Sequence, residues 1–225
     1  MELSADALAC RRAGRLVFEG VSFRVRAGEA ARLTGPNGAG KSSLLRVLAG
    51  LCPPAAGTAR IGEVALTDGE AWRERVALGG HLDAVKPALT VRENLSAWAA
   101  FHGRPAAAVG AALERFGLTA LAEDPAQWCS AGQKRRLGLA RLLVTARPVW
   151  LLDEPTVSLD VASAGVFAAA VREHCAAGGI AVAATHVALD IGEGPEIRLP
   201  GRGEPAPGRR EAPAAADPFL SEDWR

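Results

Sequence analysis

The chain has 225 residues, of which 26 are Lys or Arg and 25 Asp or Glu, leaving a formal net charge of +1. So even a balance predicts no nucleic acid or other polyanion as partner from electrostatics alone. No apolar run approaches the ~20 residues of a membrane span, and the first residues, MELSADALACRR, lack the apolar centre of a signal peptide.

Hydrophobic residues make up 49% of the chain, enough for a sizeable core in one domain with subdomains. The cysteines Cys10, Cys52, Cys129 and Cys175 are scattered and form no CxxC, as suits reduced cytosolic thiols. Only three basic residues are lysines, Lys41, Lys86 and Lys134, so each invites a reason.

Taken in chain order, residues 1–30 and 55–68 read as short strands with turns. A strand at Ala31–Thr34 leads into a helix whose apolar residues Leu44, Leu45, Leu48 and Leu51 follow helical spacing. Between them runs Gly35-Pro36-Asn37-Gly38-Ala39-Gly40-Lys41-Ser42-Ser43, the phosphate-binding P-loop pattern. Glycines let successive backbone N–H groups turn inward around a phosphate chain, and the helix start adds partial positive charge. Lys41 would bridge the β- and γ-phosphates of a nucleotide, and Ser42 would ligate Mg²⁺. Asn37 suits a tight loop because it tolerates unusual backbone angles.

Thr90 and Glu93 form a capping box opening a helix, and a second helix lies between Pro105 and Gly117. Ser130 and Gln133 open a third helix in the same way, with Gly132 inside its first turn. The apolar run Val149–Leu152 reads as a strand buried on both faces and ends in Asp153-Glu154. Asp153 would hold Mg²⁺, and Glu154 would orient or deprotonate an attacking water. Asp160 N-caps a helix over 161–175, closed by Gly178-Gly179. A last strand, Ile180–Ala184, ends in Thr185-His186, where His186 would reach the γ-phosphate. His102 and His174 read as surface residues, and His81 stays ambiguous. The Pro-, Gly- and Ala-rich stretch 201–225 reads as a disordered tail, and its end, FLSEDWR, as a frayed terminus or a docking peptide.

The P-loop, CSAGQKRR, LLDEP and ATH segments, in this order, resemble the ATP-binding cassette ATPases over about residues 1–200. The resemblance implies an α/β fold. Its P-loop NTPase core would have a mainly parallel sheet, with an antiparallel β subdomain (about 1–30 and 55–68) and a helical signature subdomain (about 85–145). It implies catalysis by Lys41, Glu154 and His186. It also implies a head-to-tail homodimer that forms with ATP. Ser130, Ala131, Gly132 and Gln133 of one cassette would touch the ATP of the other, and Asp160 would lie at the dimer seam.

Two positions depart from the family pattern. No tyrosine is present to stack on adenine, and Arg12 falls nearest that place, as a stacking guanidinium or a solvated side chain. Leu82 occupies the position of a usual metal-associated glutamine, with His81 and Asp83 as alternative ligands.

A cassette of this kind works on separate integral membrane permease subunits, at the cytoplasmic face of the bacterial inner membrane. Its groove would include Leu82, Val85 and Trp98, although Trp98 also reads as ordinary core. The segment GHLDAVKPALTVRENL, with SAGQKRRLGLARLL and a short C-terminus, resembles the haem-exporter ATPases of cytochrome c maturation. No residue is expected to bind haem directly. The sequence shows neither the coiled-coil insertion of a DNA-repair cassette nor a second cassette.

Overall fold

In the computed structural model, residues 1–80, 83–187 and 189–201 are described. The first two strands, β1 (Glu2–Arg12) and β2 (Arg15–Arg26), form a long hairpin rather than short strands. Its two-residue turn, Ala13-Gly14, has positive φ at both positions (47° and 75°), the geometry that matches the twist of paired strands. β3 (Ala30–Thr34) leads to α1 (Lys41–Leu48), followed by β4 (Ala56–Ile61) and β5 (Val64–Ala65). α2 (Gly69–Arg73) and β6 (Val76–Gly79) complete the first half. Next come α3 (Val91–Phe101), α4 (Ala106–Arg115) and α5 (Ala131–Thr145). The chain then runs through β7 (Val149–Asp153), α6 (Val161–Ala176), β8 (Ile180–Ala184) and β9 (Glu196–Arg198).

Two sheets result. One is antiparallel, in the order β2-β1-β4-β5; the other is parallel, in the order β6-β7-β8-β3-β9. Every residue of β7 and β8 is buried, as a parallel sheet covered on both faces requires. Val149 and Leu151 pack with α1 and the antiparallel sheet, whereas Trp150 and Leu152 pack among α3–α6. The alternation comes from successive side chains of a strand facing opposite ways. The parallel arrangement brings the C-terminal ends of β3, β7 and β8 to one edge, where ligand sites of open α/β sheets form.

Three sequence expectations are corrected here. Leu51 lies beyond α1 and is 63% exposed. Gly50, at φ 69°, ends the helix: its N–H bonds Val47 O, and the N–H of Leu51 bonds Arg46 O, a Schellman closure. His174 is half-buried rather than a surface residue. Its ring stacks on Trp150 with centroids 4.0 Å apart, and burial pushes its pKa down. His102 is half-buried as well, stacked on Trp98 and 2.9 Å from Arg147. Burial first, then the charges of Arg147 and Arg141, lower its pKa.

Candidate functional site: the C-terminal edge of the parallel sheet

The loop after β3 turns through Gly35–Gly40 into α1. Gly40 is the N-cap, at φ 102°, and no side chain caps the helix amides. A Cβ at Gly40 would stand 2.6 Å from Val17 Cγ1, so both backbone angle and space require glycine there. The ammonium of Lys41 donates to the carbonyls of Gly35 (2.7 Å) and Pro36 (3.2 Å). An ammonium carries three donors, which leaves one directed by neither carbonyl. Ala39 is buried beneath the loop.

From the other side of β8, β7 delivers Asp153. The Ser42 hydroxyl donates to Asp153 Oδ1 at 2.9 Å, joining α1 to β7 across 111 residues of sequence. Asp153 is 9% exposed. Two hard oxygen donors in so sheltered a place fit a magnesium ion.

Glu154 leaves the strand at φ 46°, an uncommon angle for a residue with a side chain. Its N–H bonds Ala184 O at 2.8 Å. Its carboxylate meets His186 twice, at 3.3 Å from Nε2 and at 3.4 Å from the backbone N–H. The result is a cleft of about 330 Å³ whose walls include Asn37, Lys41, Ser43, Asp153, Glu154 and His186. Gly38, Gly40 and Ser42 also face it.

Val17 of β2 lines the cleft and is absent from the residues singled out in the sequence. Arg12 lies at the tip of the same hairpin, exposed, and does not line it. Leu82 and His81 lie outside the described residues. Asp83 is not among the residues lining the cleft; it pairs with Arg135 of α5 at 2.9 Å.

The capping box at α5 forms in full. Ser130 Oγ accepts from the N–H of Gln133 at 3.2 Å, and Gln133 Oε1 accepts from the N–H of Ser130 at 2.7 Å. This helix start is exposed at Ser130 and Ala131 and does not line the cleft of its own chain. Instead it packs beside the 157–160 turn, where a Cβ at Gly132 would stand 3.1 Å from Ser158 O. Asp160 caps α6 by accepting from the N–H of Ser163 at 2.7 Å, and that bond holds its carboxyl below the usual range. Val85 and Trp98 are half-buried against the helical core, and Arg141 lies over the Trp98 ring at 4.7 Å. All four cysteines are free.

Comparison with known proteins shows the family and the fold. Residues 18–157 match the model of the ABC transporter family. The chain is 50% identical over 218 residues to the cytochrome c biogenesis ATP-binding export protein CcmA of Cereibacter sphaeroides, covering 97% of this chain and 95% of that one. It is 53% identical to the protein of the same name from Paramagnetospirillum magneticum, over 87% of this chain and 93% of that one. Among solved structures, the ATP-binding subunit of an ABC transporter superposes with a TM-score of 0.76 at 27% identity, covering 84% of this chain and 81% of that chain. A dimeric ATP-binding cassette bound to ADP and phosphate shares the fold, with a TM-score of 0.74 at 22% identity over 83% of this chain and 88% of that one.

Proposed function

The chain belongs to the ABC transporter family and, within it, to the cytochrome c biogenesis ATP-binding export proteins, and from that premise we propose that it hydrolyses ATP to drive haem export or release during cytochrome c maturation. The observation that carries the enzymatic part is the meeting of Lys41, Ser42, Asp153, Glu154 and His186 at one sheet edge.

In this reading the P-loop, Gly35–Ser43, wraps the phosphates with inward amides, and Lys41 directs its remaining proton at the β- and γ-oxygens. Ser42 and Asp153 hold Mg²⁺, which neutralises phosphate charge when bound with ATP. Glu154 accepts a proton from the water whose oxygen attacks the γ-phosphorus; ADP leaves and phosphate is formed. His186 restrains the Glu154 carboxylate and faces the γ-phosphate. Arg12 stacks on adenine at the tip of the hairpin that also carries Val17.

The signature residues Ser130–Gln133 act on a second copy of the chain. Their exposed helix start has free donors, stands apart from its own cleft, and suits a γ-phosphate presented by the partner. Asp160, beside this end of the molecule, lies at the seam. No described helix is long and apolar enough to cross a membrane. By its likeness to export-protein cassettes, the cassette is proposed to work through integral permease subunits at the cytoplasmic face of the inner membrane, gripped beside Val85 and Trp98.

The test is made in the host. With Glu154→Gln on the chromosome, membrane and periplasmic fractions stained for covalent haem should lose c-type cytochromes while b-type haem remains. Normal levels of both would overturn the haem assignment and leave the cassette's cargo to be another substrate.

A further inference from the structure

Arg135, in the second turn of α5, is a buried cation that the reaction scheme above leaves without a role. It is 4% exposed. Its Nε donates to Pro155 O at 3.0 Å and Nη2 to Glu154 O at 2.7 Å. Nη1 donates to Gly80 O at 2.7 Å and to Asp83 Oδ1 at 2.9 Å. Four of the five guanidinium N–H donors are thus committed, in a fixed planar fork. The recipients belong to three separate places: the turn that carries Glu154, the end of β6, and the segment after residue 82.

The backbone at Glu154 needs such a restraint. Its φ of 46° is an uncommon state for a residue with a side chain, and such states persist only where the surroundings over-determine them. The N–H of Glu154 is fixed from β8 and its carbonyl from Arg135. The two bonds clamp the peptide on either side of the Cα from which the carboxylate reaches His186. The close approach of the 83 segment to α5 is built in as well. A Cβ at Gly138, less than one turn from Arg135, would stand 2.8 Å from Asp83 Cβ.

We propose that Arg135 is a positioning residue for hydrolysis: it fixes the Glu154 main chain, and through it the carboxylate, to the helix whose first turn carries the signature residues. This rests on the assignment of Glu154 as the water-activating group. The helix start that meets the partner's ATP and the base that acts on this chain's own ATP are then joined by one guanidinium. Lysine is no substitute, because a point charge on a flexible stem cannot span four acceptors in a plane.

Single-turnover ATP hydrolysis by the full chain tests this in wild type, R135Q, E154Q and the double variant, with KM for ATP measured alongside. R135Q should lower kcat by roughly tenfold or more while KM stays within about twofold, since the P-loop is untouched. In the E154Q background the same substitution should change the residual rate by less than about twofold, because the group it acts through is already disabled. Equal losses in both backgrounds, or a loss carried by KM, would overturn the proposal. R135K is run in the same cycle and should fail to restore kcat; full turnover with lysine overturns it too. Should R135Q not fold, R135K carries the whole test, and failure of both to fold assigns Arg135 a structural role instead. If E154Q alone keeps wild-type turnover, the assignment of Glu154 fails, a result distinct from all of these.

Discussion

Single side chains in this molecule do most of their work through partners far away in the chain. His174 shows how. Its ring stacks on Trp150, and Nε2 sits 3.3 Å from Ile180 O. Burial disfavours its charged form, so its folded pKa falls below the ordinary value. A group depressed in the folded state contributes stability that is complete above its unfolded pKa, about 6.5, and is lost as pH falls below it. His102 titrates in the same direction. The urea midpoint of the wild type should therefore drop between pH 7.5 and pH 5.5. That of His174→Phe, which keeps a ring on Trp150, should drop less; an identical drop would show that His174 contributes nothing to the slope. In the sequence His174 reads as a surface residue because it lies near the end of a helical stretch. Its partner Trp150 lies 24 residues earlier, on another element. Arg135 was illegible for a related reason: three of its four partners are backbone carbonyls, which carry no residue type at all. Lys41, Ser42, Asp153 and Glu154 were legible because phosphate chemistry constrains both residue type and spacing.

At the scale of elements, local signals were reliable where the stabilising interaction is local. The capping boxes at Thr90–Glu93 and Ser130–Gln133 form as the sequence spells them, and Asp160 caps α6. The buried strands β7 and β8 were read from continuous apolar runs. Leu51 fits the helical spacing of α1, yet Gly50 closes the helix one residue earlier. Contacts between elements were hidden. Trp72, on α2, is fully buried and donates from Nε1 to Leu48 O at 2.6 Å, satisfying a terminal carbonyl of α1. The packing of the 83 segment on α5 depends on the lack of a side chain at Gly138. Gly138→Ala would place its Cβ 2.8 Å from Asp83 Cβ and 2.9 Å from Asp83 O. Overpacking of this kind costs about 1–3 kcal/mol, although alanine's better helix propensity offsets up to ~1 kcal/mol of it. Denaturant melts should show a net loss; an unchanged or raised midpoint would mean that the 83 segment moves aside freely.

For the whole molecule, the arrangement of its surfaces bears on how it works. The phosphate cleft opens where β3, β7 and β8 end, while the start of α5 presents donors elsewhere. Around that second place the apolar residues are unusually open: Val157 is 46% and Val161 91% exposed. Valines so exposed beside Ser158 and Asp160 fit a seam closed by a second copy. In the proposed dimer each cleft is completed by the partner's helix start, so ATP is part of the interface and its hydrolysis loosens it. Sedimentation of purified Glu154→Gln with and without saturating Mg·ATP tests this most directly. The variant should be a monomer without nucleotide and a stable dimer with it, because phosphate binding survives while water activation fails. A variant that binds ATP yet remains monomeric would contradict the shared site.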